Sequence, residues 1–411
     1  MTAVGGGMTM TMSRMRICGC VGAVAFLFWQ PTGGAQAPRP APGVTFLKDV
    51  APIFNANCVS CHQPGEIAPM SLMTYEAARP WARSIRKAVA DRVMPPWHAD
   101  PQHGEFANDP RLSDKDVATI LGWVDGGAVQ GDIRDLPPAV PPRAAWKIGT
   151  PDLVLTMLEP AEVPATGTRI IKDYAIEPVV FEEDRYVERI EVIPSNRLVT
   201  HHAILSVRDG DGSQRLGGYQ PGGVTTTYPA GVVRKIPKGT TLGLNMHYNT
   251  KGSRQTDQTK IGLVFARGRV EQVVITGMTG TRALDIPAGD PNYEAKGNAF
   301  VFQQDSHIIS LMPRMNERGK DYKYTLVYPD GRSVVLLSIP KFNPDWQPSY
   351  LLKTAIAAPK GSRLESIAHY DNSPNNKWNP DPSARIVYGP EIMNGYVDYT
   401  IDSQRLSTTQ P

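Results

Sequence analysis

The sequence predicts a small all-α domain followed by antiparallel β-sandwiches, and three observations support this order. The chain has 411 residues, too long for one typical domain. Helical periodicity is confined to the part of the chain before Gly131. After Gly131, short strand-like segments alternate with turn residues over roughly 260 positions, which is enough for one or two sandwiches. The 37 glycines and 37 prolines agree with many turns between short strands.

Residues 1–37 have the pattern of a secretory signal peptide. Two arginines precede an apolar run from Ile17 to Trp29, and small residues then lead to a predicted cleavage site after Ala37. The run is short for a helix that spans a bilayer, so an uncleaved membrane anchor is the second interpretation. Cleavage predicts a periplasmic or secreted protein that has no stable membrane span.

The charge balance argues against a nucleic-acid partner. Lys and Arg number 43 against 40 Asp and Glu, a formal net charge of +3, and no basic run would follow a phosphate backbone. The predicted cleavage removes Cys18 and Cys20, which leaves Cys58 and Cys61 in an oxidising compartment. These two cysteines are therefore expected to have a chemical role.

The segment CVSCH, residues 58–62, is the pattern of c-type haem attachment. The thiols of Cys58 and Cys61 would bond the porphyrin vinyl groups, and His62 would ligate the iron. A redox dithiol and half of a zinc site are the alternatives. The dithiol lacks a βαβ context and the zinc site lacks a second cysteine pair, so the pattern favours haem.

The second iron ligand is expected downstream of the motif. The stretch that begins VMPPWHAD resembles the closing part of small bacterial class I cytochromes c, in which a methionine is followed by two prolines, a loop and a capped helix. This resemblance favours Met94, with ordinary core packing of that methionine as the alternative. Two loop histidines could ligate iron instead, but we predict that they are solvated. The candidates are Met70, Met73, Met94, His98 and His103.

A terminal helix is predicted to close the helical domain. Ser113 can cap it, with Asp116 three positions on, and Gly126-Gly127 ends it. The first and last helices of such cytochromes cross, so Phe54 and Trp123 are predicted to be in contact. We predict that this cytochrome c domain covers residues 38–131.

Residues 132–148 are proline-rich and lack apolar periodicity, as an extended linker should. The segments that follow alternate like strands, and each is bounded by turn residues. They include YVERIEVIP, LVTHHAILSV, TTLGLNMHYNT, VEQVVITGM, RSVVLLSIP and RLESIAHYDNS.

Two neighbouring histidines, His201 and His202, lie in the strand-like segment LVTHHAILSV. Successive side chains of a regular strand point to opposite faces, so an ordinary strand would separate them. In TTLGLNMHYNT, apolar residues share one face and leave His247 on the other with Asn245 and Gly243. From the residues alone this is a weak metal signal, and satisfied structural histidines are the stronger interpretation.

Several segments together resemble the copper type II, ascorbate-dependent monooxygenases, which are the relatives of peptidylglycine and dopamine hydroxylases. The resemblance is closest to a bacterial branch that carries an N-terminal cytochrome c, and it covers the chain from about residue 45 onward in family order. It implies two jelly-roll domains, here residues 149–285 and 286–411, each holding one copper. The segments are THHAILSV, LGLNMHYNTKG, SLMPRMNERGKDYKYTLVYPDGR, AHYDNSPNNKWNPDP and EIMNGYVDYT.

The resemblance implies that the first copper, which supplies an electron, is held by His201, His202 and His247. A bulged or kinked strand, or the use of different ring nitrogens, would let neighbouring histidines reach one ion. Three imidazoles suit copper, although zinc accepts the same ligands.

The second, oxygen-activating copper of the family takes two histidines from a His-Met-His segment, plus a methionine that Met393 matches. In this sequence Arg314 and Asn316 stand at the histidine positions. Arginine is cationic and has no lone pair to offer a metal, so the site as the family builds it is not expected. Three alternatives stay open. His307 could replace a missing ligand, although a regular strand would turn its side chain away from Arg314. Cu(I) could be held by Met312, Met315 and Met393, or Arg314 could bind an anion instead of a metal.

Two functions from different classes follow. One is an exported oxidoreductase in which haem c passes electrons to a copper domain that hydroxylates a small organic substrate with molecular oxygen. The other is an electron-transfer or ligand-binding protein that has lost oxygen chemistry. A third arrangement has haem as the reacting centre. A redox partner protein or reductant is implied in each case, and His369 is predicted to have a hydrogen-bonded structural role.

Overall fold

The structure, a computed structural model, describes residues 43–140, 145–167, 170–209, 212–389 and 391–403. The predicted signal peptide, residues 1–37, lies outside the described residues, as does part of the predicted linker. Among the helices of the described ranges, none is long and apolar enough to cross a membrane.

The N-terminal part is helical. Its last helix, α4, begins after Ser113, whose Oγ accepts from the backbone N–H of Asp116 (3.1 Å), and it ends at Gly126. This cap confirms the one predicted from the sequence. Phe54 packs edge-to-face on Trp123 with ring centroids 6.4 Å apart, which confirms the predicted contact. The helices are α1 (Ala51–Asn57), α2 (Tyr75–Ala78), α3 (Ala82–Ala90) and α4 (Asp114–Asp125), with single helical turns at Phe46–Val50, Arg79–Trp81 and Ile133–Asp135.

The remainder is built from β-strands. Their first half comprises β1 (Leu153–Thr156), β2 (Ala161–Val163), β3 (Ile170–Tyr174), β4 (Arg185–Ile193), β5 (Thr200–Asp209), β6 (Gly212–Tyr219), β7 (Thr226–Thr227), β8 (Val232–Ile236), β9 (Thr241–Tyr248), β10 (Gln255–Asp257) and β11 (Lys260–Phe265). Their second half comprises β12 (Gln272–Thr281), β13 (Asp285–Ile286), β14 (Tyr293–Lys296), β15 (Phe300–Val301), β16 (Ser306–Arg314), β17 (Gly319–Val327), β18 (Ser333–Ile339), β19 (Tyr350–Ala358), β20 (Arg363–Tyr370), β21 (Ile386–Val387) and β22 (Met393–Asp402). The chain is therefore mostly β-sheet with few helices, as predicted.

Three larger sheets organise these strands. A nine-stranded sheet has the order β1, β11, β4, β8, β12, β22, β16, β19, with β7 also paired to β4. The second sheet runs β3, β9, β5, β6, and the third runs β14, β20, β17, β18, with β15 beside β20. Strand β12 pairs with β22 along its whole length and only briefly with β8, so it lies with the C-terminal strands.

The buried apolar side chains form three clusters, one in the helical part and one in each half of the β-region. The helical cluster contains Phe46, Phe54 and Trp123, whereas the middle cluster contains residues such as Leu205 and Leu244. Separate cores are what sandwiches with inward-facing apolar residues require. The jelly-roll topology and the cytochrome c fold remain predictions.

The loop between α3 and α4 packs against the C-terminal β-region. Trp97 is buried there, with its ring centroid 4.7 Å from that of Tyr350. Backbone hydrogen bonds continue the contact, since the N–H of Ala107 donates to Leu351 (2.8 Å) and that of Lys353 donates to Glu105 (2.9 Å). The loop thereby covers the edge of β19, which would otherwise present unpaired backbone groups.

A buried ion network joins the start of β17 to the start of β22. Glu391 is fully buried and accepts from the backbone N–H groups of Asn316 (3.1 Å) and Arg318 (2.9 Å). The Arg318 guanidinium lies 3.5 Å from the same carboxylate and also donates to Asn372 Oδ1 (2.8 Å). Burial, aided by the charge of Glu317, raises the pKa of Glu391 to about 7.

This pKa makes stability depend on pH. The pKa of Glu391 is higher in the folded protein than in the unfolded chain, so between about pH 4.5 and 7 the native state keeps a proton that the unfolded chain has released. The free energy of unfolding therefore falls as pH rises through that window, by at most about 3 kcal/mol. We expect Glu391→Gln to lower the melting temperature more at pH 5 than at pH 8. Glu365→Gln, at a side chain that is 45% exposed, is the control. An equal loss of melting temperature at both pH values in Glu391→Gln would contradict the prediction.

Candidate functional site

The neighbouring histidines on β5 are aimed to one side by a β-bulge. Thr200 pairs with Tyr248 and His202 pairs with His247, so the register of β5 and β9 shifts by one residue at His201. A bulge inserts one extra residue and cancels the strict alternation of a strand. This bulge is one of the two devices predicted from the sequence.

The three histidine rings lie next to one another. The Nδ1 atoms of His201 and His202 are 2.7 Å apart, and the His202 ring stacks on that of His247 with centroids 3.8 Å apart. Both neighbouring histidines are 7% exposed. As predicted, Leu244, Met246 and Tyr248 are buried in the middle core, whereas His247 is half-buried on the other face of β9.

The hydrogen bond between His247 and Asn245 indicates which nitrogen of the His247 ring keeps a lone pair. Asn245 Nδ2 donates to Asp173 Oδ1 (2.9 Å), so the amide oxygen of Asn245 faces His247 Nε2 at 2.8 Å. His247 Nε2 then carries the proton and donates, which leaves its Nδ1 with a lone pair. His247 can therefore offer Nδ1 to an ion, and the Nδ1 atoms of His201 and His202 lie next to each other, 2.7 Å apart.

The three histidines fit a copper ion in donor type and proximity. Two nitrogens bound to one ion at about 2.0 Å, at a right angle, would be about 2.8 Å apart, close to the observed separation of the two Nδ1 atoms. Within the described residues, no group of three or more His, Cys, Asp and Glu side chains is already in position to hold a metal. In this cluster the His247 ring is stacked on that of His202, with ring centroids 3.8 Å apart.

The CVSCH segment follows directly after α1. The backbone N–H groups of Cys61 and His62 both donate to the carbonyl of Cys58 (3.1 and 2.9 Å), which holds the segment in a compact turn. Neither cysteine forms a disulfide within the described ranges, and both are partly exposed, as bonds to a porphyrin require. Burial, together with the charge of Cys61, raises the pKa of Cys58 to about 12, so this cysteine is a thiol at neutral pH.

His62 is oriented as a metal ligand. Its Nδ1 lies 3.2 Å from the carbonyl oxygen of Met70, so Nδ1 donates its proton there and Nε2 keeps its lone pair. Burial lowers the pKa of His62, which favours the neutral ring that a metal needs. These residues fit a haem iron.

The same hydrogen bond separates the candidate methionines. The carbonyl of Met70 lies on the Nδ1 side of the His62 ring, away from Nε2, which is the nitrogen that would bind iron, so Met70 is the weakest of the three candidates. Met94 and Met73 are 39% and 37% exposed, which leaves both thioethers accessible. His98, predicted to be solvated, is instead half-buried, and burial lowers its pKa.

The CVSCH segment and the residues just after it contact the loops next to β5 and β6. A side chain at Gly222 would lie 3.1 Å from Cys61 Sγ and 2.8 Å from the Trp346 ring, so only glycine, here at φ +64°, allows this approach. Gly222 follows three residues after Tyr219, which is paired with Ala203, the neighbour of His202. A buried ion pair between Arg197, just before β5, and Glu66, just after the CVSCH segment, adds a second contact (3.1 Å).

The residues predicted at the second copper site do not gather. Arg314 lies directly opposite Asn394 in the pairing of β16 with β22, so Met393 faces the other side of the sheet and is fully buried in the C-terminal core. Met315 is buried in that same core. Met312 is on the side of Arg314, but its sulfur accepts from Arg314 Nη2 (3.5 Å) and Ser349 Oγ (3.3 Å).

A second bulge changes the expected orientation of His307. The register of β16 shifts between Ile308 and Ser310, on both of its neighbouring strands. The expectation that His307 faces away from Arg314 is therefore wrong, because it assumed a regular strand. Both side chains line one cavity of about 560 Å³.

This cavity contains charged residues that the sequence analysis did not single out. Arg234 forms a buried ion pair with Asp398 (2.6 Å) and donates to Tyr228 Oη (2.7 Å) and Thr276 Oγ1 (2.9 Å). Burial opposes the charge of Arg234, but Asp398 outweighs it and raises the pKa of that guanidinium. Arg234 and Asp398 each interrupt a strand-like segment, VVRKI and VDYT, which is the signal that could have revealed them.

His369 has the structural role that was predicted. Its Nδ1 lies 2.7 Å from Asp321 Oδ1 and its Nε2 lies 3.5 Å from Glu294 Oε2, so both ring nitrogens are engaged by carboxylates.

Comparisons with known proteins add no assignment. No family model and no curated protein matches the chain. Among solved structures, it is similar to the major capsid protein P2 of bacteriophage PM2, with 6% identity over 62% of this chain and 98% of that chain and a TM-score of 0.28. It is also similar to N-glycanase F (PNGase F), with 11% identity over 61% of this chain and 95% of that chain and a TM-score of 0.27. At TM-scores this low, neither likeness carries an argument about fold or function.

Proposed function

We propose that this protein is an exported oxidoreductase that carries a c-type haem at Cys58, Cys61 and His62 and one copper ion at His201, His202 and His247. The observation that carries the proposal is the bulge at His201, which brings three imidazoles from β5 and β9 side by side. A structural role needs no such device, since a single histidine satisfies its hydrogen bonds on a regular strand. When bound, copper and haem iron supply one-electron redox chemistry.

The short route between the two sites supports electron transfer within the chain. Cys61 approaches Gly222, and the loop from Gly222 leads in three residues to Tyr219 on β6. Tyr219 lies opposite Ala203 in the pairing of β6 with β5, and Ala203 is next to His202. The protein's part in this chemistry is to hold the two sets of ligands on packed, rigid elements.

For the reaction itself, the family resemblance favours hydroxylation of a small organic substrate with molecular oxygen and electrons that pass through the haem. The alternative is a non-hydroxylating electron-transfer or ligand-binding protein with a degenerate oxygen-activating site. A specific observation favours the alternative. Within the described residues, the one hydrogen bond of Arg314 at that site is to the sulfur of Met312, while Met393 is fully buried on the other side of the sheet. Copper content separates the two: hydroxylation by the family's arrangement needs two ions per chain, whereas the electron-transfer or ligand-binding alternative needs only the one at His201, His202 and His247.

The haem is tested by its covalent attachment. We expect the purified protein to retain haem after denaturation, and Cys58→Ala/Cys61→Ala to lose it, because the thioether bonds need both thiols. Haem staining on a denaturing gel measures this. Cys18→Ala/Cys20→Ala, in the predicted signal peptide, is the matched control and should retain haem; retention of haem by the Cys58/Cys61 variant would contradict the proposal.

The axial methionine is tested on the same preparation. We expect reduced Met94→Ala to bind carbon monoxide, because the sixth position on the iron is then open, whereas the unmodified protein and Met73→Ala should not. The visible spectrum of the reduced protein with and without carbon monoxide measures the difference. Carbon monoxide binding by Met73→Ala alone would transfer the ligand role to Met73.

A further inference from the structure

The cavity beside Arg314 has an excess of positive charge. Arg215, Arg314 and Lys353 line it, and Asp398 is the one carboxylate among its described lining residues. The buried guanidinium of Arg234 is paired with Asp398. Asp398 is already engaged by Arg234 and by the hydroxyls of Thr276 (2.6 Å) and Ser310 (3.0 Å). Asp398 thus offsets Arg234, and Glu105 pairs with Lys353 (3.4 Å), which leaves the two positive charges of Arg215 and Arg314 uncompensated.

Arg215 and Arg314 carry this excess. In the described part of the chain, Arg215 makes no hydrogen bond or salt bridge, and Arg314 donates only to the sulfur of Met312 at 3.5 Å. Guanidinium groups normally find carboxylates or several acceptors when they are removed from water. Burial and the nearby charge of Arg215 lower the pKa of Arg314 to about 10, and burial also lowers that of Arg215. The two like charges thus destabilise each other.

The remaining lining suits a small amphipathic molecule. Its lining includes hydroxyl-bearing residues, Thr226, Tyr228 and Ser349, and apolar residues such as Ile309 and Leu351. The volume, about 560 Å³, is within the range of small-molecule sites. A small molecule could pack its apolar part against these apolar residues while its negatively charged group binds Arg215 and Arg314.

We propose that this cavity binds a small organic oxyanion, a carboxylate or a phosphate ester with an apolar body, through the guanidinium groups of Arg215 and Arg314. Two forked donors match the geometry of an oxyanion, and a bound anion removes the repulsion between them. The inference goes beyond the proposed redox function, because it needs neither haem nor copper.

Calorimetric titration of the full-length protein with benzoate, phenyl phosphate and neutral benzamide tests the proposal, with iron and copper content measured on each sample. We expect benzoate or phenyl phosphate to bind at least about 10-fold more tightly than benzamide, and the tighter of the two identifies the head group. Arg314→Gln and Arg215→Gln should each weaken anion binding by about 10- to 100-fold, since hydrogen bonds to charged groups are lost. Arg254→Gln, at an exposed arginine, is the matched control and should leave binding unchanged.

A second measurement separates ligand recognition from a structural role. Because the repulsion is relieved, Arg314→Gln should raise the melting temperature of the ligand-free protein while it weakens anion binding. A structural arginine would give a lower melting temperature. Three results would overturn the proposal, whatever the metal content of the samples. They are equal affinity for benzamide and both anions, no binding of either anion, and anion binding that is unchanged in both arginine variants.

Discussion

Replacing His202 with alanine is expected to weaken copper binding by more than about 100-fold. His202 is the central ring of the cluster. Its Nδ1 lies 2.7 Å from that of His201, and its ring stacks on that of His247. Loss of a second-sphere partner already costs a metal site about 10- to 100-fold in affinity, and loss of a ligand should cost more. Competition titration with a chelator of known affinity measures the change.

A graded series makes this prediction specific. Asn245→Ala removes the acceptor of the His247 Nε2 proton and should reduce affinity by the smaller, second-sphere amount. His307→Ala, an exposed histidine beside the arginine cavity, should leave copper affinity unchanged. Equal losses in the His202 and His307 variants would show that copper binds elsewhere.

Asp398→Asn is expected to destabilise the protein by about 3–5 kcal/mol, the usual effect of breaking a buried ion pair by removing one partner. Arg234 has a side chain 2% exposed and would lose its counter-charge in a cavity that already holds Arg215 and Arg314. Arg234→Met should cost less, because Asp398 keeps its two hydroxyl donors and gains the other arginines as partners. This asymmetry follows from the excess positive charge.

Thermal unfolding of the two variants, side by side, measures the asymmetry. Asp152→Asn, at an ion pair with an 85% exposed arginine, is the matched control and should cost about 1 kcal/mol or less. Added benzoate should restore part of the stability that Asp398→Asn loses, since it supplies a negative charge to the cavity. A larger loss in Arg234→Met than in Asp398→Asn would contradict the charge account.

Local patterns predicted the features that depend on local chemistry. Ser113 with Asp116 predicted the helix cap, and the alternation around His247 predicted which face of β9 is buried, because capping and strand alternation involve only residues near in sequence. The convergence of His201 and His202 required an irregular strand, and the bulge between β5 and β9 provides it.

Features that depend on register and on distant contacts were not predictable. The bulge in β16 turns His307 to the side of Arg314, and it arises from pairing with β19 and β22, strands about 40 to 90 residues away. The charged cavity combines Arg215, Arg314 and Asp398 from three strands that no short motif connects. The packing of Trp97 on Tyr350 likewise joins a loop in the helical part to a strand some 250 residues later.

The most direct test of the central claim is a copper titration of the purified protein, with pulsed electron paramagnetic resonance to count the imidazoles bound to Cu(II). We predict one tightly bound copper per chain, coordinated by three imidazoles, and a signal that disappears in His201→Ala/His202→Ala/His247→Ala. A chain that binds no copper, or whose copper signal is unchanged in the triple variant, would contradict the account.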